Sequence, residues 1–212
     1  MVNSPHNPTG AVADAGELGC LAAECARRGG RLVLDEVAVS TLDPRARSLA
    51  AHSAFAEGAI VTVGDVSKSL GLGGLRIGWL ACGDPVLLER AAALKDMTTL
   101  GPPVPSQFLA ALALEHRDAF RFGIADVARR NRDRLASWTE TTNGCECAAP
   151  VDGLVAFPRL PVSGDVTAFA RRLRATHGVG VTPGKLFGVP QHIRVGLGLD
   201  PRLFGHGLEV LR

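Results

Sequence analysis

Two short apolar runs constrain the fold of this chain more than any other feature. Residues 31–35 (RLVLD) and 59–64 (AIVTVG) each read as a strand, and neither alternates apolar with polar positions. Strands of that kind are covered on both faces, as in a parallel sheet flanked by helices. A helical pattern precedes the first run: Leu18, Leu21, Ala22 and Cys25 share one helix face, and Gly29-Gly30 ends it. The first run closes on a carboxylate, Asp35, and a Gly-rich stretch, residues 67–78 (SKSLGLGGLRIG), follows the second. Ligands of open α/β sheets sit at the carboxyl ends of strands, so polar groups at these ends are the first candidates for chemistry.

The rest of the chain is punctuated by turn and cap residues. Val2 to Gly10 holds two prolines and a glycine and reads as a turn. Asp84-Pro85 is an N-cap followed by proline at the first helical position, and Leu87, Ala91 and Leu94 give that helix an apolar side. Pro102, Pro103 and Pro105 break the chain before a helix over residues 106–115. One long helix runs from 118 to about 140, with Phe120, Ile124, Val127, Leu135 and Trp138 on its buried side. Its Arg129, Arg130, Arg132 and Arg134 are mixed with Asp126 and Asp133, which makes them a solvated face. After the Asn143-Gly144 turn come a strand near 154–158, a helix over 165–177 closed by Gly178, strands near 179–182 and 193–197, and a last helix from Pro201. The expected division is residues 1–117 and 118–212, the second unit beginning with the long helix and forming a small α/β domain.

Composition excludes several classes. Net charge is +2, too weak for a nucleic-acid or membrane-surface partner, and no run of about 18 apolar residues exists to span a membrane. The five cysteines, Cys20, Cys25, Cys82, Cys145 and Cys147, fit no zinc pattern, and the six histidines show no helical metal-binding pair, so no metal is expected. With no secretion signal at the start of the sequence, the cysteines read as free thiols in a reducing cytoplasm. There is no Tyr, and Lys68, Lys95 and Lys185 are the three lysines among 23 basic residues.

Four segments recur in a telling order: Asn7-Pro8-Thr9-Gly10; Asp35-Glu36-Val37; Ser67-Lys68-Ser69-Leu70-Gly71-Leu72-Gly73-Gly74-Leu75-Arg76-Ile77-Gly78-Trp79; and Ile193-Arg194-Val195-Gly196. Together they resemble the class I/II aminotransferases, the fold-type I enzymes that use pyridoxal phosphate. The resemblance extends over the whole chain. It implies the C-terminal part of the pyridoxal-phosphate transferase type I fold, an incomplete large-domain sheet plus a small α/β domain. It implies pyridoxal 5'-phosphate as cofactor, an amino acid and a 2-oxo acid as substrates, and a homodimer. Lys68 would form the Schiff base and move the proton between substrate and cofactor, which requires a neutral amine. Asp35 would face the pyridine nitrogen and keep the ring protonated as an electron sink. Asn7 would donate to the ring oxygen, Arg76 and Ser67 would hold the phosphate, and Arg194 would clamp the substrate α-carboxylate. His6, His52, Cys145 and Cys147 receive no role.

Two positions depart from the family pattern. Ala38 stands where the family usually has a Tyr that touches the ring oxygen. Asp65 stands where the family usually has a Ser or Thr for the phosphate, and its charge repels a dianion unless it is turned away or paired with Arg76. The Asn-Pro-Thr-Gly turn lies six residues from Met1, whereas family members carry a long segment before it. A chain incomplete at the front is therefore expected. The same scaffold supports elimination, cyclisation and decarboxylation of amino acids. A non-catalytic fragment, or a subunit completed by a separate N-terminal half, is a further reading.

Overall fold

The computed structural model of the chain describes residues 1–43, 48 and 53–211. His52 lies outside the described residues. Two sheets organise the rest. The first has four strands in the order β1 (Val2–Asn3), β2 (Leu32–Asp35), β3 (Ile60–Asp65), β4 (Gly78–Cys82). β1, β2 and β3 are parallel, and β4 returns antiparallel to β3. The helix α1 (Ala15–Arg27) begins at Asp14, whose carboxylate accepts from the Gly16 and Glu17 N–H groups. Such caps satisfy donors that the first turn leaves free. Leu18 and Ala22 of α1 pack on Leu32, Leu34 and Ile60, together with Ala54 of the short helix α2 (Ser53–Ala56).

The burial of β2 is one-sided: Leu32 and Leu34 are buried, while Val33 and Asp35 are half-buried. Leu21, expected on the covered face of α1, is exposed, because the contact with the sheet is made through Leu18 and Ala22. In β3–β4 Gly64 pairs with Trp79, and an added Cβ on Gly64 would lie 2.8 Å from the indole ring. Only glycine leaves room for that ring.

α3 (Pro85–Thr98) packs on β4 and is capped by Asp84 as expected. The backbone N–H of Leu87 holds the Asp84 carboxyl below its ordinary value, with help from Val86 N–H and Arg31. Yet none of the α3 residues is buried: Leu87 and Ala91 of the expected apolar side are half-buried, and Leu94 is exposed. α4 (Val104–Glu115) buries Ala110 and Ala113 against Val66 and Leu70.

α5 (Arg117–Thr141) leads to the second sheet, which is antiparallel in the order β5 (Val155–Ala156), β7 (Ile193–Gly196), β6 (Thr182–Pro183). The helices α6 (Val166–His177) and α7 (Pro201–Val210) complete this unit, capped by Asp165 and Asp200. Gly178 ends α6 in the left-handed conformation that glycine adopts freely. Its core holds Leu135, Trp138, Ile193, Leu197 and Phe204, and Leu42 from the loop after β2 enters the same cluster. The arginines of α5 behave as a solvated face: Arg130 pairs with Asp126 at 2.6 Å and Arg132 with Asp133 at 3.0 Å.

Candidate active site

The strand geometry delivers each candidate side chain in turn. In β7, Ile193 and Val195 are buried in the core, and the period of two sends Arg194 to the opposite face. After β3, Val66 and Leu70 are buried against α4 and hold the intervening bracket outward, so Lys68 is exposed at its crest. The loop closes on itself through Leu72 N–H to Val66 O at 3.0 Å and Gly71 N–H to Lys68 O at 3.3 Å. Asp35 ends β2, and its Oδ1 accepts from the Val37 N–H at 3.0 Å.

The first turn is stitched onto that strand end. Ser4 N–H donates to Asp35 O at 3.0 Å, Asn3 Nδ2 donates to the same oxygen at 3.2 Å, and Asn7 N–H donates to Asn3 Oδ1 at 2.7 Å. Gly10, at φ +70°, lets Pro150 approach until an added Cβ would be 2.3 Å from the proline Cβ.

These segments meet in one cleft of about 390 Å³. Asn7, Asp35, Ala38, Lys68 and Arg194 all line it, with His6, Gly153, Leu154 and Leu199 among its other walls. Arg194 reaches across: its Nη1 donates to Asn7 Oδ1 at 2.9 Å and its Nη2 to Thr182 Oγ1 at 3.3 Å. The guanidinium also lies 5.4 Å from the centre of the Phe187 ring, a cation–π arrangement. Phe187 is met edge-on by Phe157, which stacks on His192 at 4.8 Å. Burial, then the charge of Arg159, holds the His192 pKa below its ordinary value.

Two expected site residues stand apart. Ser67 and Arg76 flank the Lys68 bracket but do not line the cleft, and Arg76 is exposed with Nη1 donating to Gly73 O at 3.1 Å. Asp65 is occupied locally, its Oδ1 accepting from Ser67 N–H at 2.7 Å. That bond turns the carboxylate into the backbone of its own loop. Cys145 and Cys147 are poor nucleophiles: burial pushes the Cys145 thiol up to about 11 and raises that of Cys147. Thr182, Phe187 and Asn3 support the site without any local sequence signal, since their partners are brought in by the fold.

A family model described as aminotransferase class I and II matches residues 1–211. The chain belongs to the class I and II aminotransferases. This aminotransferase chain is 35% identical to capreomycidine synthase of Streptomyces vinaceus, over all of the chain and 54% of that protein. It is 34% identical to a probable N-succinyldiaminopimelate aminotransferase of Mycobacterium tuberculosis, over 88% of the chain and 47% of that protein. Among solved structures it matches an aspartate aminotransferase from Rhodobacter sphaeroides with a TM-score of 0.87 at 26% identity, covering 99% of the chain and 54% of that structure. The PLP-dependent cyclase OrfR matches with a TM-score of 0.84 at 32% identity, over 100% of the chain and 56% of that structure. The aminotransferase chain therefore spans about half the length of the relatives it matches.

Pyridoxal 5'-phosphate is the cofactor of this family. The donor set of the cleft fits its ring end: one amine from Lys68, one carboxylate from Asp35 and one amide from Asn7 face a common space. Because a guanidinium only donates, the Asn7 atom facing Arg194 is the oxygen, and Nδ2 is left as the donor. For the phosphate end, Ser67 and Arg76 are the nearby groups of suitable chemistry.

Proposed function

We propose that this chain carries the catalytic lysine of a pyridoxal-phosphate-dependent aminotransferase, which moves an amino group between an α-amino acid and a 2-oxo acid. The observation that supports it is the convergence of Asn7, Asp35, Lys68 and Arg194 on one cleft, although Asn7 and Arg194 are 187 residues apart in sequence. When bound, the cofactor supplies an electron sink for charge at the substrate α-carbon. Lys68 Nζ takes up and returns the α-proton. The Asp35 carboxylate, oriented by Val37 N–H, would keep a proton on the pyridine nitrogen. Asn7 Nδ2 would donate to the ring oxygen, and Ala38 offers no hydroxyl beside it. Arg194 takes the substrate α-carboxylate with its planar fork of donors. Ser67 and Arg76 would hold the phosphate, Arg76 through the guanidinium N–H groups not engaged with Gly73 O.

The proposal extends to organisation and setting. The chain divides into units 1–117 and 118–212, works in the cytoplasm in amino-acid biosynthesis, and assembles as a homodimer. The five free cysteines support the cytoplasmic part of this reading.

Borohydride reduction of the protein with pyridoxal phosphate, followed by peptide mass spectrometry, tests the site. A cofactor adduct on Lys68, absent from Lys68→Ala, is the expected result. An adduct on Lys95 or Lys185 instead, or none, refutes it. A second reading, cyclisation of an amino acid on the same site, is favoured by the synthase and cyclase relatives at 35% and 32% identity. Turnover of an amino acid that never requires a 2-oxo acid acceptor would select it over transamination.

A further inference from the structure

Asp152 is 3% exposed and joins the chain segments that lead into the two walls of the cleft. One wall is the end of β2 with Val37 and Ala38, and the other is Gly153, Leu154 and Val155 leading into β5. The carboxylate bridges them. Its Oδ2 accepts from Ser40 N–H at 2.8 Å, and its Oδ1 accepts from Thr41 N–H at 3.0 Å, Leu42 N–H at 2.6 Å and Gly153 N–H at 2.8 Å. Converging backbone N–H groups of this kind form an anion nest. The usual occupant of a nest is a bound anion; here it is a side chain that arrives from more than 100 residues away.

The surroundings show that the nest is built for a carboxylate. Its backbone partners are all donors, so only a group with acceptors on both atoms satisfies them. Ser40 sits at φ +62°, a left-handed conformation disfavoured for a non-glycine residue, and its N–H donates to Asp152 while its hydroxyl accepts from Arg121. The 150–153 segment is anchored on its other side too: Val151 and Asp152 N–H groups both donate to Gly10 O, at 2.9 and 3.2 Å. Gly153, at φ +93°, sets the second wall in van der Waals range of the first: an added Cβ would lie 3.4 Å from Pro5 Cβ and 4.0 Å from Ala38 Cβ. The clasp is thus one residue from the cleft lining on one side and two on the other.

We propose that Asp152 is a positioning residue that sets the width of the cleft, and so the separation between Arg194 on one wall and Asp35 with Lys68 on the other. This rests on the reading that Arg194 receives the substrate carboxylate while Lys68 and Asp35 hold the cofactor. Releasing the clasp moves the walls apart without altering either one. Cofactor capture by Lys68 then survives, and recognition of the amino acid suffers.

Asp152→Asn tests this by placing an NH2 group against backbone donors. The expected result is a folded protein that still takes up pyridoxal phosphate on Lys68, with KM for the amino acid raised by about tenfold to a hundredfold, the scale of a 1 Å misplacement. Hydrogen exchange reads the same change without cofactor: amides at 38–43 and 151–155 exchange about tenfold or more faster, while α1 and α6 keep their rates. A purely structural residue would behave differently. It would lower the fraction of protein loaded with cofactor and leave KM unchanged in the remainder, and that outcome overturns the proposal. If Asp152→Asn does not fold, Asp152→Glu, which keeps the acceptors on a longer arm, must show the same split in KM. An unchanged KM in that variant, or failure of both variants to fold, also overturns it. Wild-type protein without an adduct on Lys68 refutes the functional reading alone, and the exchange rates then decide the clasp.

Discussion

At Gly10 the chain turns with φ +70°, and the place of a Cβ is already taken by the side chain of Pro150, 2.3 Å away. The turn itself is readable from Asn7-Pro8-Thr9-Gly10, because proline and glycine have local conformational preferences. The reason for glycine is not, because Pro150 is 140 residues further on and only the fold brings it there. Gly10→Ala combines a left-handed alanine with an overpacked contact, and should lose about 2–4 kcal/mol in urea unfolding followed by tryptophan fluorescence. A loss below about 0.5 kcal/mol would mean that the 150–153 segment is not held against this turn. The same logic applies to Asp35, Lys68 and Arg194. Their identities stand out in the sequence, but Thr182 and Phe187, which contact Arg194, and Asp152, which accepts from the 40–42 backbone, carry no local signal.

Among the elements, α5 shows how a helix pattern is legible in outline and misread in detail. Its length and its Leu135 and Trp138 are as the spacing predicts. The buried face, however, runs through Ala125, Ala128 and Asn131, and Phe120 is exposed. Small residues let the helix approach closely, and a polar residue is accepted because the second sheet presents backbone carbonyls to it. Asn131 is fully buried, and its Nδ2 donates to Leu197 O and Leu199 O, both at 2.8 Å. Those bonds fix the segment after Arg194 to the helix. Asn131→Leu leaves both carbonyls without their donor and should destabilise the protein by about 2–4 kcal/mol, read as a lower urea midpoint with an unchanged slope. A neutral result would show that the carbonyls find other partners.

Over the whole molecule, apolar side chains that a finished surface would cover stand in solvent on α3 and α4. Met97 is 82% exposed, Val104 76% and Phe108 67%. Patches of this kind mark contact surfaces. Sedimentation of the purified chain should show concentration-dependent species heavier than 22.1 kDa, and Leu94→Glu with Phe108→Glu should move the distribution toward monomer with unchanged circular dichroism. A wild-type chain that sediments as a monomer at all concentrations would refute the contact. The sequence by itself determined the strands β2 and β3, the Asp84 cap and the Gly178 stop, because apolar runs and caps are local properties of the chain; the edge strand Val2–Asn3 is hidden in what reads as a turn, and Asn7, Asp35, Lys68 and Arg194 stand out through motifs in the order of a family. Only the tertiary structure decided that Arg194 meets Asn7, that Asp152 accepts from the 40–42 backbone, that Ser67 and Arg76 stand outside the cleft, and that Leu94, Met97 and Phe108 stay exposed. Each of these depends on the distance between residues far apart in the chain, and that distance is set by the packing of two sheets rather than by any local preference.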